Sequence, residues 1–192
     1  ESYWSFSEQS IGLAGNAYVN NATGALTIAK SLLSTTDSIF PYTPTITYNS
    51  SLAGKSASYP NSQSAYSSSY MPYGFKLNIG ETIIQKIYTK VGGTSAYYYI
   101  WSDADGTEHA FFPIEGSSTE YEDEDGLQLK LTVSSSTCTI KDDNKTVKTF
   151  TKMSSTPGSD VYGAWYLSSI SDKNNNTISF TFDNMRPTQV NL

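Results

Sequence analysis

The chain is poor in the residues on which most folds and most chemistries depend. Its 192 residues include one Cys, one His, three Met and 12 Lys and Arg, and charged residues make up only 16 % of it. The lone thiol, Cys138, leaves no internal disulfide and is expected as a small buried hydrophobe. Scarce charge, with few of the strong helix formers, excludes a coiled coil or helical bundle. No apolar run approaches the ~18 residues of a membrane span, so membrane insertion is not expected. With a net charge of −6, a phosphate backbone is an unsuitable partner, which argues against nucleic acid. There is neither a glycine-rich phosphate loop nor a zinc-ligand spacing. What is abundant is hydroxyl and ring: 30 Ser, 22 Thr, 15 Tyr, 8 Phe and 3 Trp. The aromatic area argues against disorder. Such a composition fits a secreted β-protein, and the missing disulfide points to a bacterial one. The start at Glu1, without Met or signal peptide, reads as a mature or excised piece.

The length fits one domain, 1–192, read in three stretches. Residues 1–50 carry short apolar pieces and an alternating strand at Thr45-Ile46-Thr47-Tyr48-Asn49. Residues 51–70 read as a Ser- and Tyr-rich surface loop anchored by Leu52, Tyr59, Tyr66 and Tyr70. From 71 to 192, strands and turns alternate quickly. Phe75 to Ile79 alternates cleanly, and Glu81 to Val91 is β-branched and aromatic enough to be strand. Tyr97 to Trp101 follows a Gly92-Gly93 turn. Leu127, Leu129, Leu131 and Val133 are expected on one strand face, as are Ile178, Phe180 and Phe182. Together these predict an all-β fold of antiparallel hairpins, arranged as a β-sandwich or a rolled sheet.

Three segments share one register: Trp101-x-Asp103-x-Asp105, Ile140-x-Asp142-x-Asn144 and Ile170-x-Asp172-x-Asn174, followed by Phe111, Phe150 and Phe180. Each reads as a hairpin in which the Asp carboxylate caps the turn and the flanking apolar residues meet across the strands. Gly106 and Asn175 suit the next turn position, and Lys145 suits it less well. Asp125-Gly126 adds a fourth turn of the same chemistry.

With these elements in place, the chain resembles the segment that opens the β-shell of Rhs/YD-repeat wall-associated proteins of Gram-positive bacteria. The likeness rests on Tyr3-Trp4, Gln9-Ser10, Gly12, Ala14-Gly15, Tyr18-Val19-Asn20 and Thr23-Gly24-Ala25-Leu26. It continues in Tyr73-Gly74-Phe75 to Asn78, in Asp103 to His109 with Phe111-Phe112, and in Tyr121 to Leu131. It ends in a degenerate YD repeat, 167–183, with Phe182-Asp183 in place of Tyr-Asp. The resemblance implies a non-catalytic structural segment of a secreted or cell-wall-associated protein, building or capping a β-shell. Its partner would be the remainder of its own polypeptide.

Nine of the 18 acids lie between Asp103 and Asp125, with no Lys or Arg among them. Oxygen-only ligands around a glycine turn are what Ca²⁺ prefers, which makes Asp103, Asp105 and Glu108 candidates for a weak site. The alternative is solvated hairpin turns, with no cofactor at all. His109 has no accompanying nucleophile-elbow motif, and adjacent solvated acids do not raise one carboxyl's pKa as a glycosidase requires. A competing reading is a module that binds cell-wall or host glycans through exposed Trp4, Trp101, Trp165 and Tyr166. Trp101 shares a repeat position with Ile140 and Ile170, which predicts burial; Trp165, beside a loop, is expected at the surface.

Overall fold

The computed structural model describes residues 5–32, 42–51, 53, 74–154, 156, 159–183 and 186–191. Trp4, Tyr73 and the loop anchors Leu52, Tyr59, Tyr66 and Tyr70 lie outside the described residues. Among the described residues the fold is all-β, and every strand pairing is antiparallel. Among the described residues, β1 (Phe6–Ser10), β2 (Asn16–Asn20), β3 (Leu26–Ser31), β4 (Thr45–Asn49) and β5 (Phe75–Leu77) form a separate five-stranded sheet in chain order. The strand expected at Phe75 therefore completes the sheet of the first 50 residues and does not join the later hairpins.

The second sheet runs through β6 (Thr82–Thr89), β7 (Ser95–Ser102), β8 (Glu108–Pro113), β9 (Glu120–Asp123) and β10 (Lys130–Val133). It continues through β11 (Thr137–Lys141), β12 (Val147–Lys152), β13 (Gly163–Ser171), β14 (Thr177–Asp183) and β15 (Arg186–Asn191). β13 pairs with β12 along one edge and with β6 along the other, so β6 to β13 close into an eight-stranded barrel. The β6 pairing uses 163–166 only; further along the same edge, Ser169 to Ser171 pair with β14. β14 and β15 thus leave the barrel as a flap. The sheet rolls up on itself, and the five-stranded sheet stands apart from it.

An eight-stranded barrel has an interior just wide enough for side chains to fill. Strand alternation sends Tyr99 and Trp101 of β7, Phe111 of β8, Cys138 and Ile140 of β11 and Phe150 of β12 into one core cluster with Ile83, Leu131 and Leu167. Phe111, Phe150, Leu131 and Leu167 are fully buried, and burial pushes the Cys138 thiol pKa up. Outside the barrel, Ile84, Val161 and Ala164 form a smaller cluster. Tyr88, Tyr98 and Phe112 make a half-buried ring ladder there, with Tyr98 and Phe112 stacked at 5.5 Å.

The three repeat turns have one geometry. The N–H of Asp103, Asp142 and Asp172 donates to the carbonyl four residues on, at 3.0, 3.1 and 3.0 Å. The same Asp side chains accept the N–H of Thr107, Thr146 and Asn176 at 2.9, 2.8 and 2.9 Å. The third residue after each Asp takes positive φ: Gly106 at 90°, Lys145 at 64° and Asn175 at 64°. Lys is the poorest of these in the left-handed region, since its Cβ crowds the following carbonyl. Lys145→Gly is therefore expected to stabilise by about 0.5 kcal/mol, net of the entropy glycine adds to the unfolded chain. Thermal unfolding checks this: a lower midpoint would mean that the Lys145 side chain contributes more than its backbone costs.

The fourth turn differs from its expected form. Asp123 accepts the N–H of Leu127 at 2.5 Å and of Leu129 at 2.6 Å, and Gln128 takes φ 58°. The strand consequently begins at Lys130, and Leu127 is 43 % exposed instead of facing inward with Leu131. A second carboxylate two residues before Asp125 captures the backbone, and that breaks the alternation.

Candidate functional site

In an antiparallel barrel, every second connection falls at the same end. The turns 103–107, 124–129, 142–146 and 172–176 share one end, and Glu81, just before β6, lies there too. Three inward positions near that end follow the repeat: His109, Lys148 and Ile178 sit across from Trp101, Ile140 and Ile170. Only the third copy keeps an apolar residue. The other two bring charge into the mouth of the barrel.

Glu81 is 2 % exposed, and its carboxylate accepts Lys148 Nζ at 2.7 and 2.9 Å and the Trp101 indole N–H at 2.9 Å. The same ammonium lies 4.8 Å from the centre of the Trp101 ring. A carboxylate held by a cation and an indole donor, with the cation against the ring face, satisfies every charge that the barrel buries here. On its far side Trp101 meets the His109 ring, 5.0 Å between centres.

His109 is buried and ties two turns together. Nδ1 bonds Asp125 Oδ2 at 2.8 Å, and Nε2 bonds Asp103 Oδ2 at 3.2 Å. Burial alone would favour the neutral ring. The hydrogen bonds and charges of Asp103 and Asp125 outweigh it, and the imidazole pKa rises above 6.5. Burial would likewise push the Asp103 carboxyl up, but its bonds with His109 and Asp105 and the charge of Lys76 hold it at about 2. Asp105, desolvated and next to Asp103, is raised. With both ring nitrogens bonded to carboxylates, His109 is set to keep its proton, which suits an electrostatic clasp more than a general base.

The first sheet enters this cluster through β5. Lys76 is buried, and its ammonium donates to the Asp103 carbonyl, to Ser102 O at 3.4 Å and to Ser102 Oγ at 3.3 Å. Desolvation lowers its pKa to about 8, against the pull of Asp103 and Glu81. Asn49, at the end of β4, donates from Nδ2 to the Asp105 carbonyl at 3.0 Å. The β7–β8 turn is thus held from three sides: by its own Asp, by His109 and by the first sheet.

The residues proposed for Ca²⁺ are partly absorbed by this structure. Asp103 Oδ1 accepts the N–H groups of Asp105 and Thr107, and Asp105 Oδ1 accepts the Thr107 N–H at 2.9 Å and its hydroxyl at 2.7 Å. Glu108 is exposed on β8. Among the described residues no group of three or more His, Cys, Asp or Glu is placed to hold a metal ion. The acidic run is also divided, since Glu115 and Glu120 belong to the opposite end of the barrel.

The aromatic candidates do not form an exposed platform. Trp101 is inside, as its repeat position indicates, at 8 % exposure. Trp165, expected at the surface, is inside as well at 2 %, between Tyr99 and the Lys152 ammonium. Gly163 makes room for it, because a Cβ there would come within 2.5 Å of the indole ring. Tyr166 is half-buried against Phe182, and Trp4 lies outside the described residues. Asp125 is not a turn cap but a His109 ligand, while Gly126 (φ 75°), Asn144 and Asn174 occupy turn positions.

Sequence reasoning missed Lys76, Glu81 and Lys148. For Lys148 a signal exists: it stands at an inward repeat position filled by Ile178 in the third copy. Lys76 and Glu81 carry no local mark, because their partners lie 27 and 67 residues away. In comparisons with known proteins, no protein-family model and no curated protein matches the chain.

Proposed function

We propose that the chain is a non-catalytic structural segment of a secreted or cell-surface protein of the Rhs/YD-repeat type, where it builds or caps the β-shell. The observation that carries this reading is the third Asp-turn hairpin. It repeats the geometry of the first two, yet its outgoing strand, β14, leaves the closed barrel and continues the sheet through β15. One local unit thus serves both to close the barrel and to extend the sheet beyond it, which is what a segment at the start of a hairpin-built shell needs. The charge cluster supports the same reading, because its ion pairs fasten elements together. A glycan-binding role through Trp101 and Trp165 is not favoured, since both rings are committed to the core.

The test is the parent polypeptide. Its gene is expected to encode further Tyr-Asp hairpins after Leu192, and its cryo-EM structure to show a following strand paired with β15. A stop codon there, or a β15 edge left unpaired in the parent, would overturn the reading.

A further inference from the structure

Where the first sheet meets the barrel mouth, a cleft of about 600 Å³ opens between them. One wall is the end of β4 and the β2–β3 region, with Thr27 and Ser51; the other is the β7–β8 turn, with Asp105 and Glu108. Phe6 of β1 stands at the rim, 49 % exposed. The walls are fixed relative to one another by Asn49 on the Asp105 carbonyl and by Lys76 on the same turn, so the cleft is formed in advance of any ligand. Its size falls in the ordinary range for small-molecule sites, roughly 300–1,000 Å³.

The lining selects by chemistry. Among the described residues that line it, the two ionisable side chains, Asp105 and Glu108, are acids, with no Lys or Arg. Phosphates, nucleotides and uronic acids are therefore repelled. The remaining groups are hydroxyls, carboxamides and carboxylates, which together donate to and accept from alcohols. The Glu108 carboxylate makes no hydrogen bond or ion pair to a described residue, while the Asp105 carboxyl is shared between Thr107 and the neighbouring Asp103 carboxyl. An exposed phenyl ring beside such a surface offers an apolar face to the C–H side of a pyranose.

We propose that this cleft binds a neutral saccharide, with hydroxyls bonded to Thr27, Ser51, Asp105 and Glu108 and a sugar ring lying on Phe6. The site does not use the aromatic residues of the barrel and stands independently of the shell reading.

The test is an NMR titration of the intact, ¹⁵N-labelled chain with cellotetraose, maltotetraose and N-acetyl-chitotetraose in turn. Saturable shifts of the Thr27, Ser51, Thr107 and Glu108 amides are expected with at least one sugar. Glu108→Ala and Phe6→Ala should each weaken binding roughly fivefold or more. Both positions are exposed, so the thermal midpoint should stay where it is. Tyr97→Ala, exposed near the opposite end of β7, should leave binding intact. The proposal is overturned if none of the sugars gives saturable shifts at ~10 mM, or if shifts centre on Tyr97 and Tyr98. Shifts at the cleft amides with CaCl₂ alone, reversed by chelator, would overturn it in favour of a cation site.

Discussion

Glu81→Ala is expected to destabilise the protein by about 3 kcal/mol, and the thermal midpoint should fall by on the order of 10 °C. The wild-type carboxylate is nearly inaccessible and serves two donors at once, the Lys148 ammonium and the Trp101 indole. Truncation leaves a cation and an N–H facing an apolar barrel interior without their acceptor. Lys148 is a quarter exposed and can turn partly toward water, which keeps the loss at the lower end of the range for breaking a buried pair. Glu81→Gln keeps an acceptor while removing the charge, and should cost about half as much. The double substitution Glu81→Leu with Lys148→Met removes both charges and should recover most of the loss. Urea unfolding at neutral pH separates these outcomes. A loss below ~1 kcal/mol for Glu81→Ala would mean that the cluster does not hold the barrel mouth.

His109→Ala should cost about 2–3 kcal/mol at pH 5.5 and much less at pH 9. The sign follows from the two partners. The His109 pKa is raised in the fold, so its contribution is complete below 6.5 and is lost as pH rises through the folded value. The Asp103 pKa is lowered to about 2, so its contribution is complete above 3.8 and is lost as pH falls toward 2. The clasp is therefore strongest between those limits. Asp105, with a raised pKa, works the other way and makes the fold slightly less stable once it ionises. Wild-type stability should thus decline as pH rises above 6.5, until Lys76, whose lowered pKa acts in the opposite direction, begins to lose its proton near 8. The alanine variant should lose that decline. Chemical denaturation across pH 4 to 9 measures it; parallel profiles for the two proteins would refute the assignment.

Turns and inward phenylalanines were legible because their causes are local. A carboxylate two residues from an Asn or Asp, with Phe eight residues on, specifies a turn and a register within a dozen residues, and Phe111, Phe150 and Phe180 are all buried as that register requires. Barrel closure was not legible, because it depends on Trp165 pairing with Ile83 over 80 residues away, and hydropathy alternation is the same in a sandwich and a barrel. The misplacement of Trp165 has the same origin. Its neighbours in sequence are a loop, while its neighbours in space are the β6 and β12 strands that close over it. The charged cluster was half legible. His109 and Asp103 fall within one hairpin, but Lys76, Glu81 and Lys148 meet them only after both sheets are assembled.

The divided edge of β13 also bears on how the molecule answers force. Tension entering at residue 191 acts on β15 and β14, whose pairing with each other and with Ser169 to Ser171 separates one hydrogen-bonded pair at a time, as a zip opens. The barrel seam lies elsewhere on the same strand, at 163–166 against β6 and along the whole opposite edge against β12. Peeling the flap leaves both seams intact. A pull from that side would be dissipated in two short strands, drawing Ile178 and Phe180 out of the core, before it reached either seam.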